Sequence, residues 1–151
     1  MTPGELDADR HWLAEAIELS RRCPPSPSAF SVGAIVVASC GAVVATGYSR
    51  QSDAYDHAEE VALRRAITGD IDVARATLYS SLEPCLRRVS RPVSCAELIL
   101  ASGLRRVVIA WREPPVFAPG GGAARLGQAG VTVVEIPDLA AQARAVNAVV
   151  L

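Results

Sequence analysis

Apolar positions along the chain switch between the periods of helix and strand. From Arg10 to Arg22 they fall on one helical stripe, Trp12, Leu13, Ala16 and Ile17, with Cys23 at its end and Asp9 where an N-cap is expected. Pro24-Pro25-Ser26-Pro27 forbids further helix and makes a stiff loop. Ser31–Ser39 and Ala42–Tyr48 are β-rich and are separated by Cys40-Gly41, which reads as a hairpin with Gly41 supplying the positive φ of a tight turn. After polar residues 49–55, the pattern predicts a helix from His57 to Ile67, with Val61, Ala62, Ala66 and Ile67 at apolar positions. Ala76–Leu82 reads as a third strand that ends at Glu83-Pro84-Cys85. Ser94 opens a helix through Ala101, and Gly103 stops it. Arg105–Ala110 is a buried strand in this reading. A Pro/Gly-rich loop over Glu113–Gly122, a short helix at Ala123–Ala129, a fifth strand at Val131–Ile136 and a helical tail over Asp138–Val149 follow.

A helix, a hairpin and then alternating strands and helices imply an α/β sandwich around one mixed sheet of about five strands. No internal repeat or low-complexity segment divides residues 1–151, so a single domain is expected. Gly120-Gly121-Gly122 lacks the strand–loop–helix context and the Lys-Ser/Thr of a phosphate loop, and reads as a flexible connector.

Composition narrows the classes. A chain of 151 residues buries roughly 70% of its unfolded surface without staples. Fifteen basic against sixteen acidic side chains give a formal charge of −1, unlike the basic footprint of a duplex binder. An aromatic content of 5% gives little support for a nucleic-acid strand groove. The longest apolar runs, such as Ala34–Val37 and Val107–Trp111, are too short to span a bilayer. The N-terminus has no cationic segment followed by an apolar one, so a cytoplasmic address is expected. Thiols stay reduced there, and cysteine pairs more often mean metal or catalysis than disulfides.

The candidate chemistry lies in Asp56-His57-Ala58-Glu59, then Glu83-Pro84-Cys85, then Cys95 after nine intervening residues. H-x-E followed by P-C and a second cysteine is the pattern of zinc-dependent deaminases. One imidazole and two thiolates, from His57, Cys85 and Cys95, leave a fourth tetrahedral position open, which separates a catalytic zinc from a closed structural one. Ser94-Cys95-Ala96-Glu97 spells a capping box and places Cys95 at the first helical position, where the helix dipole favours thiolate. At another helix start, the dipole favours neutral imidazole at His57. Glu59, beside the metal and not on it, is the candidate proton shuttle for hydrolysis of an amidine carbon. The backbone near Ala58 and Cys85 is a candidate for orienting the reacting water. The alternative is a structural zinc with some fourth ligand. His11 does not suit, being an expected exposed residue of the first helix, and Cys23 or Cys40 would serve only if the fold brought them close. Arg87, Arg88 and Arg91 crowd the loop between the two cysteines. They form either a bidentate clamp for a substrate phosphate or a solvated loop without a ligand.

His57-Ala58-Glu59 with Ser81-Leu82-Glu83-Pro84-Cys85 resembles the cytidine deaminase-like superfamily. The long inter-cysteine loop, Cys95-Ala96-Glu97-Leu98-Ile99, Arg105–Ala110, Glu113-Pro114-Pro115-Val116 and Leu126–Val131 are most similar to the deaminase domain of the bifunctional riboflavin-biosynthesis deaminase/reductase. The resemblance covers roughly residues 10 to 136. It implies a three-layer α/β/α fold, one catalytic Zn2+ per subunit, a small pyrimidine substrate and homo-oligomers. Ala29-Phe30-Ser31 stands where that domain commonly has Asn-Pro, and Ser49 stands where it tends to have histidine. Ser28–Ala34 is similar instead to nucleoside-type cytidine deaminases, which place a Phe in the substrate pocket. The resemblance therefore adds Ala29, Phe30, Ala58 and Ser81 to the arginines as candidate substrate contacts. Three functions stay open: deamination of a riboflavin-type aminopyrimidine or related nucleotide, a cytidine- or dCMP-type deaminase, and a non-catalytic zinc-binding module.

Overall fold

The computed structural model describes residues 2–69 and 71–151. The first helix, α1 (Pro3–Ser20), starts earlier than the apolar stripe suggests. Thr2 is its N-cap, accepting from the Glu5 N–H while the Glu5 carboxylate accepts from the Thr2 N–H, and Pro3 occupies the first position, where a missing N–H is harmless. Asp9 is thus no cap. It lies inside α1, 1% exposed, and its carboxylate accepts from the Arg106 guanidinium (2.6 and 2.9 Å) and from the Tyr79 hydroxyl (2.8 Å).

Next come β1 (Gly33–Val37) and β2 (Val43–Tyr48), joined by the expected turn with Gly41 at φ +89°. Helix α2 (Ala58–Ile67) precedes β3 (Thr77–Ser80). Helix α3 (Cys95–Ser102), ended by Gly103 at φ +79°, leads to β4 (Arg106–Ile109). Helix α4 (Gly122–Gln128), β5 (Thr132–Glu135) and α5 (Ala140–Val146) complete the order. Strand β3 is shorter than Ala76–Leu82 because the Ser81 N–H turns to the Gly33 carbonyl (3.0 Å) and the Glu83 N–H to the Trp111 carbonyl (2.9 Å), bending the chain away from the sheet.

The sheet order is β2-β1-β3-β4-β5, antiparallel through β2-β1-β3 and parallel through β3-β4-β5. Helix α1 packs on β1 and β3 with α5 beside it; α2 covers β2 and β1 and continues through α3 to α4 on the opposite face. This is the mixed five-stranded, three-layer α/β/α sandwich expected. Val36, Leu78, Val107, Val108 and Ile109 are fully buried between the layers, as a sheet covered on both faces requires. At Gly47 the backbone of α2 lies on the strand itself: a Cβ there would sit 2.5 Å from the Ala58 carbonyl oxygen. No helix among the described residues is long and apolar enough to cross a membrane.

Candidate active site

The site forms where the ends of β3 and β4 meet the N-termini of α2 and α3, the crevice where open α/β sheets place their ligands. His57 is the N-cap of α2, with extended backbone (φ −96°, ψ 149°), and its N–H donates to Glu60 Oε1 (3.0 Å). Ser94 caps α3 by accepting the Glu97 N–H (3.2 Å), so Cys95 is the first helical residue, as its spelling indicates. Only half of the capping box forms, because the Glu97 carboxylate pairs with Arg125 instead (3.0 Å).

These two helix starts bring three ligand atoms together. His57 Nδ1 lies 3.6 Å from Cys85 Sγ and 3.4 Å from Cys95 Sγ, and all three atoms lie within 4.8 Å of one another. Tetrahedral zinc with ordinary Zn–S and Zn–N bonds separates nitrogen and sulfur by about 3.6 Å. The donor set and its spacing therefore fit zinc. Both thiols are buried, and the Cys85 sulfur accepts the Cys95 N–H (3.3 Å). Contact with the Cys95 side chain, opposed by burial and reinforced by His57, lowers the Cys85 thiol to about 4. The adjacent Cys85 sulfur and complete burial push Cys95 up, so within the pair Cys85 carries the first thiolate. Among the described residues no fourth protein ligand joins them: Cys40 is exposed in its turn, and the half-buried Cys23 donates to the Val32 carbonyl (3.4 Å).

Glu59 is the second residue of α2, 3% exposed. The Ser80 hydroxyl donates to Glu59 Oε1 (2.8 Å) and to the Leu82 carbonyl (2.7 Å), one proton shared between two acceptors. Burial pushes the Glu59 carboxyl up, against the counteracting His57 charge. A carboxyl with a raised pKa is suited to both accepting and returning a proton near neutrality.

A cavity of about 300 Å³ opens beside these groups, reaching His57, Glu59 and Cys85. Phe30 and Ala29 form part of its wall, and Phe30 meets Phe117 edge-to-face (centroids 5.0 Å) and Trp111 (5.9 Å). Two side chains fix the backbone there. Asn147 accepts from the Ser31 N–H (2.6 Å) and donates to the Ser31 carbonyl (3.0 Å); the Arg50 guanidinium donates to the carbonyls of Phe30 (3.0 Å) and Pro24 and to the Ser31 hydroxyl. Arg50 itself has φ +59°, a strained non-glycine conformation held by those bonds.

The remaining candidates are distributed less uniformly. Ser81 and Ala58 are buried and do not line the cavity; the Ser81 hydroxyl accepts the Gly33 N–H (3.0 Å) and ties β1 to the end of β3. Arg91 also lies off the wall, paired with Asp56 (3.3 Å), Glu60 (3.3 Å) and Asp53 (3.5 Å). Arg88 lines the cavity, with Nη2 on the Tyr55 carbonyl (2.6 Å) and Glu60 (3.1 Å), and Nη1 buried without a partner. Arg87 lines the cavity and is exposed. The loop is thus neither a free three-arginine clamp nor a solvated loop. Asp56 and Glu60 pin it over the metal ligands. Glu60, although burial opposes it, is held below the usual carboxylate range by the His57 N–H and Arg88.

The sequence reading passed over Ser80, Glu83, Glu113 and Phe117. Glu83 accepts the N–H groups of Glu113 (2.9 Å) and Ala123 (2.8 Å) just before the metal-ligating turn. Gly120–Gly122 is not a loose connector: a Cβ on Gly122 would lie 1.8 Å from the Pro84 carbonyl oxygen, so the loop packs directly on the Pro84-Cys85 backbone. The signal for Glu83 was its place in the Glu-Pro-Cys triplet; the others carry no local pattern.

Residues 6–111 match the family described as the cytidine and deoxycytidylate deaminase zinc-binding region. The chain belongs to that family. It is 36% identical over 126 residues to diaminohydroxyphosphoribosylamino-pyrimidine deaminase of Schizosaccharomyces pombe, covering 82% of this chain and 31% of the relative. It is 35% identical over 129 residues to riboflavin biosynthesis protein RibD of Escherichia coli, covering 83% of this chain and 33% of that protein. Among solved structures, RibD of Acinetobacter baumannii superposes with a TM-score of 0.78 at 30% identity, over 95% of this chain and 39% of that one. The chain spans about a third of the length of the curated relatives it matches.

Proposed function

We propose that this chain is a zinc-dependent hydrolytic deaminase that removes an exocyclic amine from a small pyrimidine compound. One observation carries the reading: three zinc-type ligands lie at tetrahedral spacing, and two of them, His57 and Cys85, line a cavity together with a buried carboxyl, Glu59, that is not a ligand. Bound zinc supplies the activation of water near neutral pH. His57, Cys85 and Cys95 would hold it. Glu59 would take both protons of the attacking water in turn, passing the first to the ring nitrogen as the C–O bond forms and the second, from the added hydroxyl as it becomes a carbonyl, to the amine, so that the C–N bond breaks and ammonia leaves. Ser80 keeps the Glu59 carboxyl turned into the cavity. Phe30 offers an aromatic wall for the ring, and Ala29 leaves room beside it.

The cationic side of the cavity supports an anionic substituent on that ring. Arg87 has no partner among the described residues, and Arg88 Nη1 is buried without one. A phosphate at the cavity mouth would satisfy both. The names of the similar relatives, a phosphoribosylamino-pyrimidine deaminase among them, agree with that class. The position of Phe30 in the wall also favours a second reading, a cytidine- or dCMP-type substrate. Four free thiols suit a reducing compartment, the cytoplasm, and the family likeness supports a homo-oligomer.

The test is ammonia release by zinc-loaded protein over a panel of the riboflavin-pathway aminopyrimidine phosphate, dCMP, CMP, cytidine, cytosine and guanine, with Glu59→Ala alongside. Release from a pyrimidine, abolished in a variant that still binds zinc, is expected. Silence across the panel at full zinc occupancy points to a non-catalytic zinc module, and turnover that survives Glu59→Ala overturns the proton-shuttle role.

A further inference from the structure

The cavity wall holds an acid, Glu113, that neither the metal ligands nor the proton shuttle accounts for. Glu113 lies four residues beyond the end of β4 and lines the cavity with Glu59, Glu83 and Cys85. Its main chain is fixed: the N–H donates to Glu83 Oε1, and the carbonyl closes on Gly120, where a Cβ would come within 2.9 Å. Its carboxyl is not engaged in the same way. Oε2 is buried with no hydrogen-bond partner, whereas both oxygens of the neighbouring Glu83 are occupied by backbone N–H groups. No cation pairs with Glu113 among the described residues. Arg112, next in the chain, turns to Glu135 (3.0 Å) and Glu83 (3.9 Å). Burial, with Cys85, Glu59 and Glu83 nearby, pushes the Glu113 carboxyl up to about 8.

An unpaired buried acid is costly in a closed core, and native proteins rarely leave one. On a cavity wall the missing partner is supplied by whatever enters. We propose that Glu113 is a specificity-determining residue: its free carboxyl pairs with an N–H-bearing lactam edge of the substrate ring, selecting aminopyrimidinones over cytosine-type rings. The inference rests on the deaminase reading for the identity of the ring, not for the state of Glu113. A neutral carboxyl presents one donor and one acceptor, and an N–H beside a C=O satisfies both; even when ionised, the carboxylate still accepts the N–H. Apart from the amine that leaves, a cytosine ring offers the ring nitrogen and the carbonyl oxygen of that edge, both acceptors. One oxygen of Glu113 then stays unpaired and buried. Sites built to bond an N–H reject analogues that lack it far more strongly than apolar pockets discriminate by shape.

The test is equilibrium binding, by calorimetry on zinc-loaded protein, of 5,6-diaminouracil and of its 1,3-dimethyl analogue, which lacks both ring N–H groups. Wild type is expected to bind the first ring at least tenfold tighter. Glu113→Ala should bring the two within about twofold at an unchanged zinc content, and Glu113→Gln, which keeps one donor and one acceptor, should retain the gap. If the alanine variant fails to fold, Glu113→Met takes its place, with similar bulk and no oxygens. Equal binding of the two rings by wild type, absence of binding included, overturns the proposal, as does a gap that survives removal of the carboxyl. Ammonia is not part of this readout, so a preserved gap without turnover would sink the deaminase reading and leave the selectivity of Glu113 standing.

Discussion

Tyr79 and Ser80 are neighbours on β3, and each serves a buried carboxylate, on opposite faces of the sheet. Tyr79 reaches Asp9 in the α1 layer; Ser80 reaches Glu59 in the α2 layer. The Asp9 centre is closed. Two guanidinium contacts and a phenol saturate the carboxylate, Arg106 is held above its ordinary pKa chiefly by its bonds to Asp9, and none of the three lines the cavity at the metal ligands. The Glu59 centre is open. Its carboxyl shares a single hydroxyl proton, no Lys or Arg among the described residues pairs with it, and it lines the cavity beside Cys85. Burial alone therefore does not mark function. A buried charge with every partner in place holds the fold, and one with partners missing on the side of a cavity is arranged for a ligand.

Breaking the open centre should have the largest effect on chemistry. Glu59→Gln is expected to lower turnover about 10²–10⁴-fold in ammonia-release assays while metal analysis still finds one zinc per chain. Breaking the closed centre should leave chemistry alone and cost about 3–5 kcal/mol in urea unfolding, because Asp9→Ala removes a buried acceptor that serves both the Arg106 guanidinium and the Tyr79 hydroxyl. If Asp9→Ala instead lowered kcat in fully folded protein, the two centres would be coupled and the contrast would fail.

Two smaller changes sharpen it. Gly122→Ala forces a methyl onto the Pro84 carbonyl and should weaken zinc affinity by about 10–100-fold, read by chelator competition, as outer-shell lesions at metal sites do. Phe30→Ala removes ring contact without touching a ligand. It should raise KM about tenfold with zinc content unchanged, and an unchanged KM would return Phe30 to the core. The mildest probe is pH. The folded chain holds the Glu113 proton up to about 8, whereas an unfolded glutamate releases it near 4.5. Between those values the folded state binds more protons, so stability falls as pH rises. The urea midpoint of zinc-free wild type should drop from pH 5 to 8.5 relative to Glu113→Gln, and parallel profiles for the two proteins would contradict it.

Much of this was legible in the sequence because it is local. His57-x-Glu59, Pro84-Cys85 and the Ser94 cap are contiguous spellings, and the strands announce themselves by apolar runs. Asp9 was misread because a polar residue before an apolar stripe looks like a cap, and only the tertiary partners Tyr79 and Arg106 make it a core residue. Arg88 and Arg91 left both a clamp and a solvated loop open because their sequence neighbours are arginines, whereas their spatial neighbours, Glu60 and Asp56, lie at and just before the start of α2. Glu113 and Ser80 left no trace in the sequence, since what distinguishes them is which bonds are made and which are left unmade.

The metal ligands belong to two separately mounted bodies. His57 and Glu59 ride at the tip of α2, while the thiols stand on the turn after β3 and the start of α3. Gly47, one hydrogen where any other residue would carry carbon, sets how close α2 comes to the sheet. It works as a shim. Thickening it by a methyl would lift base and imidazole together, away from sulfurs that stay in place, so the alignment of the whole reactive centre depends on a position that touches none of its chemistry.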